Sequence, residues 1–391
     1  MDERIKLGTI LHMEKGKKPI AQEKEPLEGY LPYVDIKAFE QGIIDNYASV
    51  EKSLLCEDGE LLIVCDGSRS GLTGYAIKGV VGSTLSKISA DGLTTKYLHY
   101  FIQSNYLHLN TQKKGTGTPH LNANILKDSK IFVPSIPEQE RIVARIEELF
   151  SQLDAGVSEL KTAKERLKVY RQAVLKEAFD SALQDNLPML PIEKLLITER
   201  KGMVTGPFGT MIKKHEHQAV GVPMLGIENI GDGKFIDGNK IFVTPEKAKE
   251  LKSFALLPGD IIISRSGTVG EICAVPKRME GALLSTNLMR ISLNSDIIRS
   301  DYFIYLFQSK SVVLDQVKEL CKGSTRIFLN QTILKQIVFP VPNMSKQKEI
   351  IGVIESKISV CDDIEKTVDT ALQQAEALRQ SILKKAFEGG L

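Results

Sequence analysis

The chain has 391 residues, enough for two or three domains with separate cores. Its 42% apolar and 26% charged content is that of an ordinary soluble protein, and no apolar run is long enough to cross a bilayer. A net charge of +2 names no partner, so any polyanion would have to meet cations gathered on one face or a field supplied by another subunit.

The N-terminus, Met1 to Gly8, lacks the basic-then-apolar layout of a signal peptide. Five dispersed cysteines (Cys56, Cys65, Cys273, Cys321, Cys361) contain no C-x-x-C pair, which speaks against a zinc or disulfide framework and for a reduced, cytoplasmic protein. Residues 1–136 mix short β-type runs with turn signals. Gly59 to Ile63 reads as a turn into a strand, Tyr97 to Asn105 as an amphipathic helix, and Gly115 to Pro119 as a small-residue loop. Pro134 and Pro137 then stop the preceding strand and open a long helix over 137–183.

Within that helix one heptad row is Ile146, Leu153, Leu160, Leu167 and Val174, and its companion is Ile142, Leu149, Gly156, Ala163 and Tyr170. Alternating spacings of four and three predict a coiled-coil seam. From Pro137 to Phe179 the helix would be roughly 65 Å long at 1.5 Å per residue. Residues 184–342 return to mixed patterning. Pro223 to Gly233 reads as strand and hairpin, Leu257 to Ser264 as a turn into a buried strand, and Arg265 to Gly270 as an exposed loop. Tyr302 to Gln308 reads as a helix and Gly323 to Arg326 as another loop, and Pro340 and Pro342 precede a second long helix over 343–391. Its seam rows are Ile354, Cys361, Val368, Ala375 and Ile382, with Ile350, Lys357, Ile364, Ala371 and Leu378. Small residues near the middle of both helices (Gly156, Ala163, Ala371, Ala375) would let two backbones approach closely.

The chain is written twice. Arg171 to Phe179 matches Arg379 to Phe387 at a separation of 208 residues, which also relates Pro134 to Pro342, Gln139 to Gln347 and Leu121-Asn122 to Leu329-Asn330. Upstream the separation drifts: Tyr97-Leu98 matches Tyr302-Phe303 at 205, and Gly59 to Ile63 matches Gly259 to Ile263 at 200. A fixed segment following a drifting one describes a duplicated unit, a variable α+β domain and then a constrained helix. Two copies in one chain favour an intramolecular helix pair that holds the domains apart.

Loops of Gly, Ser and Thr carrying single cations suit nucleic-acid contact, since glycine admits phosphate, hydroxyls donate, and one arginine can fork onto a guanine edge. The candidates are Lys17, Lys18, Arg69, Lys113, Lys114 and Thr116 in the first domain. In the second they are Lys201, Thr205, Lys213, Lys214, Arg265, Ser266 and Arg326. The absence of tryptophan favours duplex over single-strand readout. Enzyme signatures are missing: no phosphate loop, no Asn-Pro-Pro-Phe segment, and no H-E-x-x-H in His215-Glu216-His217. Asp260 with Glu271 is a weak nuclease-like carboxylate pair, because Cys273 stands where a lysine would be needed. No catalytic or metal residues are therefore assigned.

Several stretches resemble, in order, the specificity subunit of type I restriction–modification systems. They are Ile5 to Leu11, Gly206 to Thr210, Pro223 to Ile230, Ile263 to Gly270, and Val133 to Ile142 with Pro342 to Ile350 as a looser copy. In the first half Cys65 to Gly71 departs from the pattern of the Ile263 to Gly270 loop. The resemblance implies two target recognition domains in a pseudo-symmetric repeat, separated by two long antiparallel coiled-coil helices. It also implies that each domain reads half of a split double-stranded DNA site. The helices would set the gap and dock two methyltransferase subunits that bring S-adenosylmethionine, joined by nuclease–translocase subunits that use ATP and Mg. The alternative, from another class, is a coiled-coil scaffold that never reads bases.

Overall fold

The computed structural model describes residues 4–113, 119–183, 187–209, 211–265, 270–309, 312–313, 315–320 and 329–390. It is an α+β protein with two compact units, one formed by 1–161 with 369–391 and the other by 162–368.

Each unit is built on a four-stranded antiparallel sheet of the same order. In the first it runs Leu11–Lys15, Leu85–Ala90, Leu61–Val64, Thr73–Tyr75, and in the second Met203–Thr205, Leu288–Ile291, Ile261–Ser264, Ile272–Ala274. The inner strands Leu61–Val64 and Ile261–Ser264 are buried at every residue. Side chains alternate between sheet faces, so each strand must be covered twice. Leu61 and Ile63 enter one apolar cluster while Leu62 and Val64 enter another, and Ile261 and Ile263 part from Ile262 in the same way. Consecutive aliphatics, four in the first strand and three in the second, are therefore what a strand between two cores requires. Glycines at φ 82° and 83°, Gly59 and Gly259, make the turn into each strand, a conformation other residues adopt only with strain.

Helices Thr95–Ser104 and Ser300–Gln308 pack beside these sheets with Tyr97, Leu98, Phe101 and Ile102, or Tyr302, Phe303, Leu306 and Phe307, turned inward. The buried tyrosine hydroxyls find equivalent acceptors, Phe132 O at 3.1 Å and Pro340 O at 3.0 Å. Buried glutamines repeat too. Gln139 Nε2 donates to Gly92 O and Pro134 O while its Oε1 accepts from Thr94 N, and Gln347 makes the same three bonds to Ile297 O, Pro342 O and Arg299 N. The duplication thus reaches single hydrogen bonds.

His99 is buried in the first unit, its Nδ1 3.0 Å from Thr73 Oγ1 and its Nε2 3.0 Å from Gln103 Nε2. Burial holds the imidazole down at about 4, against an ordinary 6.5. Since the unfolded chain binds the proton more readily, this contribution is whole above pH 6.5, declines as pH falls below it, and is spent near pH 4. Acidification across that window should cost the first unit about 3 kcal/mol, read by urea unfolding at stepped pH. A His99→Gln chain with an unchanged pH dependence would refute the assignment.

The long helices are Ile136–Leu183 and Met344–Glu388. In the second unit they pair antiparallel: Lys164 meets Glu365 at 3.6 Å, Arg171 meets Asp362 at 2.6 Å, and Glu177 meets Lys357 at 2.8 Å. In the first unit Asp154 pairs with Arg379, whose guanidinium lies 4.3 Å from the centroid of the Phe150 ring. Ile142, Ile146, Val174, Ile350, Ile354, Cys361, Val368 and Ile382 are buried, and Leu149, Leu153, Leu160 and Leu167 are half-buried.

The companion rows differ from the heptad count. Ile364 and Leu378 are 44% and 50% exposed, and Gly156 and Tyr170 also face solvent. Ile351, Ile358 and Leu372, one position later, turn inward, as do Phe150, Val157 and Ala178. A row of seventh residues can be flanked on either side, and the packed side is the one the partner helix covers. Nor does Gly156 mark a close approach, since a Cβ there would meet nothing within 4 Å. No described helix is long and apolar enough to cross a membrane.

Candidate nucleic-acid interface

In the second unit, strands Met203–Thr205 and Ile261–Ser264 both run antiparallel to Leu288–Ile291, so their C-terminal ends open on the same edge. The chain leaving the first strand is pinned there: Gly206 N donates to Leu288 O at 3.0 Å, and a Cβ on Gly206 would lie 1.8 Å from Ser285 O. Phe208 follows, 71% exposed. Arg265 leaves the second strand with its Nε and Nη1 each 3.3 Å from a backbone oxygen, those of Leu329 and Thr286. Its own carbonyl accepts from Leu329 N at 3.1 Å, which brings Asn330 and Gln331 to the same edge. Gln331 Nε2 then donates to Thr205 Oγ1 at 2.9 Å.

These groups line a groove of about 830 Å³ that also takes in Arg200, Lys201, Lys252, Phe254 and Arg290. Of the candidates read from sequence, Lys201, Thr205 and Arg265 meet here. Lys213 and Lys214 are exposed at the short helical turn Lys214–Glu216, away from the groove lining, and Ser266 and Arg326 lie outside the described residues. Burial depresses the Arg265 guanidinium, and Arg290 is depressed by burial first and by the Arg200 charge second.

Asp260, the weak nuclease-like carboxylate, is buried and fully engaged by Arg200, Ser292 Oγ at 2.7 Å and Leu257 N at 2.7 Å, so it locks a turn. Glu216 bonds Lys213 N and Lys247, and no metal-ligating cluster occurs among the described residues.

The equivalent edge of the first unit has the same frame and different chemistry. Gly16 N donates to Leu85 O at 3.0 Å, and a Cβ on Gly16 would lie 2.3 Å from Gly82 O. Cys65 occupies the station of Arg265: its carbonyl accepts from Leu121 N, while its Sγ lies 3.0 Å from Ser86 Oγ. The cations nearby are engaged internally. Lys15 and His120 hold the two oxygens of Asp66 at 2.8 and 2.7 Å, Arg69 pairs with Glu40, and Lys113 donates to Ser68 O at 2.9 Å. Lys17 and Lys18 are exposed and form no ion pair among the described residues, and Lys114 and Thr116 lie outside those residues.

Sequence reasoning missed Phe208, Lys252, Arg290 and Gln331. Arg290 had a legible signal, an arginine inside the apolar strand Leu288–Ile291. Phe208 sits in Gly206 to Thr210, a stretch read for its likeness and not for its exposed ring.

A family model described as type I restriction modification DNA specificity domain matches residues 3–164 and again 207–374. The MjaVIII type I restriction enzyme specificity subunit of Methanocaldococcus jannaschii is 26% identical over 384 residues, covering 93% of this chain and 89% of that one. The EcoBI specificity subunit of Escherichia coli is 23% identical over 413 residues, covering 99% and 86%. A chain from a solved structure addressing complex assembly and conformational transition of the type I R-M system superposes with a TM-score of 0.68 at 18% identity, covering 100% of this chain and 98% of that one, a likeness of fold.

Proposed function

The chain belongs to the type I restriction–modification DNA specificity family, as a non-catalytic subunit, and from that premise we propose that 1–136 and 184–342 each read one half of a bipartite duplex site. The observation that carries this reading is the cation-lined groove at one sheet edge of the second unit, with the half-buried Arg265 braced beside it. That is the layout of a duplex reader, with charge for the phosphates and one rigid fork for a base edge. The two halves read different bases because Arg265 in one is Cys65 in the other. The long helices set the gap between half-sites and dock two methyltransferase subunits, which bring S-adenosylmethionine. Nuclease–translocase subunits using ATP and Mg complete the complex, and it works in the cytoplasm.

The test is to express the chain with its methyltransferase partner in a host lacking adenine methylation and map modified bases. A single gapped motif, absent without the chain, is expected. A stable complex that modifies nothing would overturn the reading. Inserting four residues between Ser181 and Leu190 should change the gap while leaving both half-motifs intact, on the same assay. An unchanged gap would refute spacing by this joint.

A further inference from the structure

Among the described residues, five cations line the groove of the second unit, Arg200, Lys201, Lys252, Arg265 and Arg290, and no acidic residue does. Only Arg200 has a carboxylate partner among the described residues, Asp260. Arg290 is the unusual member. It is 4% exposed, yet Nη1 and Nη2 meet only neutral carbonyls, those of Ala255 at 2.6 Å and Lys201 at 3.0 Å. Its Nε has no hydrogen-bond partner among the described residues. Asp260 attracts this charge without bonding it, burial and the Arg200 charge outweigh that attraction, and an orphaned buried donor adds to the cost. An anion in the groove would offset the charge.

The same two bonds fix the neighbouring lysines. Arg290 ties the segment carrying Lys201 to the turn that carries Lys252, so both side chains leave backbone held by one guanidinium. Arg265 stands elsewhere along the strand. Its backbone bonds Asn287, three positions before Arg290, which is roughly 10 Å at the rise of a strand. Between the two levels stands Thr205, opposite Met289, with Gln331 bonded to it, and both are neutral.

Resting on the DNA-reading function above, we propose that the groove divides its labour: Arg290, Lys201 and Lys252 seat one backbone phosphate, while Arg265, Thr205 and Gln331 face base edges. The first station fixes register and carries no sequence information. The second carries the choice of base.

The test uses the full chain. Affinity is measured for a duplex bearing the mapped motif and for a scrambled duplex over a range of salt, with Lys201→Ala and Lys252→Ala. Each variant should lose about 3- to 10-fold in affinity for both duplexes alike, and the slope of log K against log salt should flatten by about 1. The methylated motif should stay the same. A changed motif would make these lysines base readers, and an unchanged affinity and slope would mean they touch no phosphate; either overturns the division.

Because Arg290→Met risks the fold, a second measurement stands beside it. Inorganic phosphate should raise the thermal midpoint of the wild-type chain above chloride at equal ionic strength, and Arg290→Lys should shrink that rise. No phosphate-specific rise in the wild type would overturn the anion seat. A rise with DNA affinity untouched in the lysine variants would assign the seat to a free anion and overturn the DNA role. If the wild type yields no gapped motif, it is the DNA-reading function that fails, and not this division alone.

Discussion

Gln347→Leu is expected to destabilise the second unit by about 3 kcal/mol or more, a large share of the 5–15 kcal/mol that holds a typical domain together. The glutamine is wholly buried, with Nε2 2.9 Å from Ile297 O and Pro342 O and Oε1 2.9 Å from Arg299 N. Leucine fills similar space and strands two carbonyls and one amide without water. Each orphan costs roughly 1–3 kcal/mol, only partly offset by the added apolar burial. Gln139→Leu should do the same to the first unit, through Gly92, Pro134 and Thr94. Hydrogen exchange separates the two, since one variant should speed exchange in Ile261–Ser264 and the other in Leu61–Val64. A loss below about 1 kcal/mol in both would show that these bonds are dispensable.

Arg265→Ala should relax or abolish base choice at one half-site and leave the other intact. A bidentate arginine on a guanine edge is worth about 1–3 kcal/mol of discrimination, so modification at the altered half should fall roughly 5- to 150-fold. Lysine should not rescue it, because an ammonium lacks the planar fork. The competing role is a brace, as the side chain also reaches Leu329 O and Thr286 O. A pure brace predicts lower thermal stability in Arg265→Ala, partial rescue by lysine and an unaltered motif. Methylation mapping beside a melting curve decides between them.

The duplication was legible because the residues that carry it perform identical jobs. Gln139 and Gln347, or Tyr97 and Tyr302, cannot change without leaving buried polar groups unmet, so they stand out in both copies even where the separation drifts. The helix rows were half legible. Ile354, Cys361, Val368 and Ile382 are inward as counted, but apolar residues flank that row on both sides, and counting alone could not tell that Ile364 and Leu378 face solvent while Ile358 and Leu372 turn inward. The interface was the least legible part. Cations were sought in loops, whereas Arg290 lies within a strand, and Arg69 and Lys113 looked available when Glu40 and Ser68 O already hold them. Which charges are spent is a property of pairing across distant segments, and a linear pattern does not contain it.

The first unit closes only with residues 369–391: Ile382, Leu383 and Ala386 complete its apolar cluster, and Arg4 donates to Phe387 O across 383 positions of chain. The second unit is one continuous stretch, 162–368. On the ribosome the half synthesised first must therefore wait for residues 369–391 to emerge, while the half synthesised later has all its parts once residue 368 is out. Until residue 387 emerges, the faces of Tyr97 and Phe101 that later meet the Phe387 ring stand uncovered. A nascent chain in that condition is a substrate for chaperones and proteases, and a premature stop codon near residue 380 would be felt in the half synthesised first.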